Sequence, residues 1–94
     1  MEKALEVETI DQVVNIFGSF DQNIKLLENH YNVQVAHRGT TLKVKGSSEE
    51  EIEKAKRALL GLIKISAKGE PISEQETRYV LNLVDEGEED KLGF

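Results

Sequence analysis

The spacing of apolar residues switches between two and about 3.6 along this chain, and the order of the switches constrains the fold more than any single residue does. Leu5 and Val7 alternate with Ala4, Glu6 and Glu8, which predicts a short strand with one buried face. Thr9 followed by Gln12 is a capping-box pattern, and Ile10, Val13, Val14 and Phe17 then recur at helical spacing until Gly18 stops the run. Asp21 is placed to cap a second helix with Ile24 and Leu27 as its stripe and Leu26 beside them, ending at Asn29, His30 and Asn32.

The period then returns to two. Val33 and Val35 alternate with Gln34 and Ala36, and Leu42 and Val44 with Lys43 and Lys45, around Arg38-Gly39. This predicts a hairpin with Val33, Val35, Leu42 and Val44 on the core face and Gly39 supplying the positive φ of the turn. Ser48 and Glu51 open a longer helix whose apolar face is Ile52, Ala55, Leu59, Leu62 and Ile63. Gly61 inside it costs about 1 kcal/mol relative to Ala, so either a neighbour packs closely there or the helix is near its end. Ala67 to Pro71 reads as a linker. Ser73 and Glu76 then cap a last helix with Tyr79, Val80, Leu83 and Val84 as its apolar side, Gly87 terminates it, and GEEDKLGF is expected to fray. The predicted order is β-α-α-β-β-α plus an extra helix: a two-layer α+β domain, with residues 1–68 as its core and residues 69–94 as linker, additional helix and acidic tail.

A chain of 94 residues, 38% hydrophobic and 32% charged, supports one small core and leaves little for a large catalytic cavity. It has no cysteine, which removes disulfides, thiolate metal sites and cysteine nucleophiles. No apolar run approaches the roughly 18 to 20 residues that span a bilayer, and MEKALEVET carries two acids among its first six residues where a signal peptide needs positive charge, so a cytoplasmic protein without membrane contact is expected. The net charge of -6 argues against nucleic acid only on average: residues 1–69 hold ten acids and ten bases, whereas residues 70–94 hold eight acids and two bases.

The segment Phe17-Gly18-Ser19-Phe20-Asp21-Gln22-Asn23-Ile24-Lys25-Leu26-Leu27 resembles the signature of the KH family of single-stranded nucleic-acid-binding domains, in which a GXXG loop joins two helices. Gly18 matches the first glycine, Ile24, Lys25 and Leu27 match the start of the second helix, and VQVAHRGTTLKVKG continues the KH order. The resemblance implies that backbone N–H groups of the loop clamp a sugar-phosphate chain, with Gly18, Ser19, Phe20, Asp21, Lys25, Arg38 and Lys43 framing the groove. Asp21 stands where the second glycine belongs, and its carboxylate repels a phosphate by about 1 kcal/mol at roughly 4 Å in water. A plainer reading of the same residues is open beside it: Gly18 ends one helix, Asp21 caps the next and Phe20 folds into the core. Lys43 or Lys45 would then pair across strands with Glu6 or Glu8 if the first strand neighbours the third.

His30 and His37 have no acidic partner at a metal-ligand spacing and read as surface residues. Glu49, Glu50 and Glu51 sit in the first turn of a helix, where the dipole favours negative charge. No P-loop, nucleophile elbow, zinc-protease or EF-hand motif occurs, so neither cofactor nor metal is expected within these residues, and no enzyme.

MEKALEVETIDQVVNIFGSFDQNIKLLENHYNVQVAHRGTTLKVKG together with KGEPISEQETRYVLNLVDEG resembles the amino-terminal domain of PhoH-like proteins, whose inter-helix loop usually carries an acid at the second glycine position. The resemblance implies a fragment of a cytoplasmic, ATP-binding protein associated with phosphate starvation, whose P-loop ATPase domain, with ATP and Mg, is absent here. Single-stranded RNA is the expected partner. The alternative is a protein-interaction or assembly module that packs against the ATPase domain or against a second copy in a homo-oligomer.

Overall fold

A computed structural model describes residues 1–92 of the chain, so that Gly93 and Phe94, the last two residues of the predicted tail, lie outside the described residues. Strand β1 spans Glu2–Glu6, α1 Ile10–Phe17, α2 Gln22–Tyr31, β2 Gln34–Arg38, β3 Thr41–Lys45, α3 Glu49–Ser66 and α4 Glu74–Asp85. The strands form one antiparallel sheet in the order β1-β3-β2.

The register assigns each strand residue to a face. Lys3, Val44 and Val35 form one row across the sheet and Leu5, Leu42 and His37 the next. Val35, Leu42 and Val44 are buried, so these rows face the helices, and Val33 is buried with them as the alternation predicted. The intervening rows, Glu2-Lys45-Gln34, Ala4-Lys43-Ala36 and Glu6-Thr41-Arg38, form the open face. β1 does neighbour β3, but Lys45 pairs with Glu2 at 3.6 Å rather than with Glu6 or Glu8, and Lys43 stands opposite Ala4. The expected pairing fails because β1 starts at Glu2, which shifts the register; Glu6 instead accepts hydrogen bonds from Thr40 and Thr41. On the outer edge of β2, the Val35 N–H donates to the Glu28 carboxylate at 2.8 Å.

Helix α1 is rotated from its predicted stripe. Val13, Ile16 and Phe17 are buried, whereas Ile10 is 49% and Val14 62% exposed. The buried stripe is centred on Val13, Ile16 and Phe17, which leaves Ile10 and Val14 on the flank of the helix that faces solvent. In α3, Ile52, Ala55, Leu59 and Leu62 are buried as expected and Ile63 packs at the margin of the core. Gly61 is a site of close approach: a Cβ there would lie 2.8 Å from Leu92 Cδ1 and 3.0 Å from Val80 Cγ1.

Residues 69–92 share the main core. Ile72, Val80, Leu81, Leu83, Val84 and Leu92 belong to the same apolar cluster as the first three helices, and α4 lies against α2 and α3. Tyr79, expected on the apolar side, is instead more than half exposed, and Leu81 takes its place in the core. The end of the described chain does not fray: Glu89–Leu92 forms a short helical turn with Leu92 buried in the notch at Gly61. Arg57 fixes that turn, its Nε donating to Glu89 Oε1 at 2.9 Å and its Nη2 to Oε2 at 2.8 Å. The Arg57 guanidinium in turn holds the Glu89 carboxyl below its ordinary value. At the far end of α4, Asp85 accepts from the Tyr31 hydroxyl at 3.1 Å and pairs with His30 Nε2 at 2.6 Å, so His30 has an acidic partner that only the tertiary fold supplies.

Candidate nucleic-acid interface

The connection between α1 and α2 departs from ordinary backbone geometry. Gly18 adopts φ 79° and ψ 175°, and a Cβ on it would sit 2.7 Å from Asn23 Nδ2, so both conformation and space call for glycine. Phe20 (φ 53°, ψ 31°) and Asp21 (φ 59°, ψ 24°) then lie consecutively in the left-handed region, which disfavours side chains by about 1 to 2 kcal/mol each, less for Asp than for Phe. The Asp21 N–H closes the turn on Gly18 O at 3.1 Å.

This geometry overturns two of the three details of the plainer reading. Asp21 occupies the N-cap position of α2 but its side chain makes no capping hydrogen bond. A capping side chain reaches the N2 or N3 amide from an extended backbone, as Thr9, Ser48 and Ser73 do here, and a left-handed residue aims elsewhere. Phe20 does not fold into the core; it is 94% exposed. Gly18 does end α1, its N–H donating to Val14 O at 3.0 Å.

The turn is tied to the chain that precedes α4. Asn23, fully buried, donates from Nδ2 to Ile72 O at 2.9 Å, and its Oδ1 has no hydrogen-bond partner. Val14, Gly18, Ser19 and Gln22 line one wall of an open groove there, and Pro71, Ile72 and Ser73 the other.

On the sheet side, the residue beside the turn is His37. Its ring meets Phe17 edge-on at 5.1 Å, and Nδ1 lies 3.2 Å from Gly39 O. A carbonyl only accepts, so His37 Nδ1 is the donor in that contact. Of the sequence candidates, the structure brings together Gly18, Ser19, Phe20, Asp21 and Lys25, the last exposed one turn into α2. It does not bring Arg38 and Lys43 to them: both belong to the open-face rows of the sheet, opposite the helices. The parity of Val33 and Val35 extends to His37, and that was the signal for it. Nothing in sequence marked Asn23. Among the described residues no cluster of His, Cys, Asp or Glu could hold a metal ion.

A β-α-α-β-β-α domain with an antiparallel sheet and a glycine-led turn between its first helices has a KH-like fold. Dim2p from Pyrococcus horikoshii OT3 is similar in structure, with a TM-score of 0.66 over 87% of this chain and 49% of that one, at 15% sequence identity. No protein-family model matches the chain. Its sequence is similar to part of two PhoH-like proteins: it is 32% identical over 78 residues to the PhoH-like protein of Bacillus subtilis and 34% identical over 80 residues to that of Mycobacterium leprae. These matches take in 83% and 84% of this chain but only 24% and 23% of those proteins, so it spans about a quarter of the curated relatives it matches.

Proposed function

We propose that this chain is a non-catalytic, single-stranded nucleic-acid-binding module of a PhoH-like protein, and that it presents RNA to the remainder of that protein. The observation that carries the reading is the turn Gly18 to Asp21, in the place where a KH-like domain receives its ligand. There the α2 N-terminus has no side-chain cap over its amides. The groove in this proposal runs from Ser19, Phe20 and Lys25 toward His37, with Arg38 and Lys43 outside it. ATP and Mg chemistry, a link to phosphate starvation and a cytoplasmic setting are proposed for the whole protein. No helix among the described residues is long and apolar enough to cross a membrane.

The test is a titration with mixed-sequence single-stranded RNA, followed by amide NMR shifts at low and physiological salt, beside an Asp21→Gly variant. Shifts confined to Gly18 through Lys25 and to His37, larger in the variant, are the expected result. Silence in both proteins would end the reading. A second reading, an assembly module packing on the rest of a PhoH-like chain or on another copy, is favoured by Ile10 and Val14 lying exposed on α1. Substituting both by Ser would then leave RNA shifts intact and abolish that packing.

A further inference from the structure

The turn is poorly supplied with positive charge and well supplied with one aromatic ring. Ser19, Phe20 and Asp21 bring no cation, Lys25 follows Asp21 by four residues on the same helical face, and Arg38 and Lys43 belong to the other side of the sheet. A phosphate clamp built here has weak electrostatics. Phe20, by contrast, is held clear of the protein surface at 94% exposure by a backbone conformation that is unfavourable for it. Exposure alone would be unremarkable. An aromatic ring fixed outward on a strained, hydrogen-bonded turn is a different matter, because strain of this kind persists where the surroundings enforce it and clusters at functional positions. The groups beside it determine what would cover the ring. The exposed ring, the single cation Lys25 and the groove lined by Ser19, Gln22 and Ser73 suit a ligand that combines flat π faces with hydrogen-bonding edges and an anionic backbone.

We infer that Phe20 is a base-stacking platform, and that this domain grips single-stranded RNA by its bases more than by its phosphates. The inference rests on the nucleic-acid reading above and assigns the source of its affinity. Stacking is sequence-tolerant, since every base has a π face, and because the phenylalanine ring carries no charge its contact is not the part that salt screens. Phosphate contacts give a slope of log K against log salt of about -0.7 per neutralised phosphate on a single strand. Grip through Phe20 with Lys25 as its cation predicts a slope no steeper than about -1.4, that of two phosphates.

The experiment measures fluorescence anisotropy of a labelled mixed-sequence RNA octamer against wild type, Phe20→Ala, Phe20→Leu and Phe20→Trp, from low to physiological salt, with an abasic octamer as competitor. The ring touches no core, so amide spectra of the variants should match wild type away from the turn. The expected result is a loss of about 5- to 150-fold for Phe20→Ala, the range for removing one base-aromatic stack. Phe20→Leu should not restore it, Phe20→Trp should equal or exceed wild type, and the abasic competitor should fail. RNA binding that survives Phe20→Ala, or that follows a steep salt slope, overturns the stacking platform and leaves the nucleic-acid module standing. Absence of binding by wild type removes both.

Discussion

Three of the four helices begin one way and α2 begins another. Thr9, Ser48 and Ser73 are extended residues whose hydroxyls accept from the amide three positions on, and the first and last are completed as boxes by Gln12 and Glu76. α2 starts from two left-handed residues with no side-chain cap, although Asp21 is a residue that caps well in an extended conformation. The three capped starts lower the free energy of the fold. The α2 start raises it, and among the described residues it does so beside the turn that holds Phe20, the most exposed aromatic ring. Local rules are often broken where a protein has another use for the residues, and this contrast singles out the α1-α2 turn independently of any relative.

The largest effect should come from Gly18→Ala. The new Cβ would meet the buried Asn23 amide at 2.7 Å on a backbone with φ 79°, and unfolding in urea should show a loss of more than about 2 kcal/mol. Gly39→Ala, with nothing within 4 Å of its Cβ, should lose only the left-handed penalty of about 1 kcal/mol. Comparable losses at the two glycines would break the claim that the α1-α2 turn is specially constrained. Next, Asn23→Ala leaves the Ile72 carbonyl without its donor and should lower stability by about 1 to 3 kcal/mol.

The caps give the sharpest contrast. Ser73→Ala should cost about 1 kcal/mol, whereas Asp21→Ala should be near neutral and Asp21→Gly should gain up to about 1 kcal/mol, all read from the same denaturation curves. Equal losses at Ser73 and Asp21 would show that Asp21 caps in solution after all. The smallest effect concerns the closing turn. Arg57 holds the Glu89 carboxyl below its ordinary value of 4.5, so the pair contributes stability above that pH, and the contribution is lost as pH falls through the depressed value. Both groups are partly exposed, which limits the effect to no more than about 1 kcal/mol. Glu89→Gln should flatten stability against pH below about 4.5, and an unchanged acid limb would remove Glu89 from that role.

The hairpin and the long helix were legible in the sequence because each is governed by one local period, and so was the placement of the α1-α2 turn by Gly18. What escaped was set by tertiary contact. Val14 and Tyr79 are apolar residues at helical spacing, and only the positions of the neighbouring elements turn them outward. The burial of Leu92 depends on a notch that a glycine leaves 31 positions earlier, and the Glu89 pairing on Arg57. At the site, the sequence reading has Lys25, Arg38 and Lys43 framing one groove, but strand parity assigns Arg38 and Lys43 to one face of the sheet and His37 to the other. The plainer reading puts Phe20 in the core for a physical reason: burial is the default for a phenylalanine, and a left-handed pair at Phe20-Asp21 leaves no signature in residue type.

The Glu28 carboxylate on the Val35 amide has a consequence for how many such molecules remain separate. β2 is an outermost strand, and such strands recruit others through their outward amides, which is how sheets grow into fibres. Here a side chain from the adjacent helix already occupies one of those donors, at the second residue of a five-residue strand. An incoming chain would have to displace a charged partner before its first hydrogen bond formed. The sheet therefore has a built-in terminus at this margin, and a crowded solution of the domain should resist growth from it.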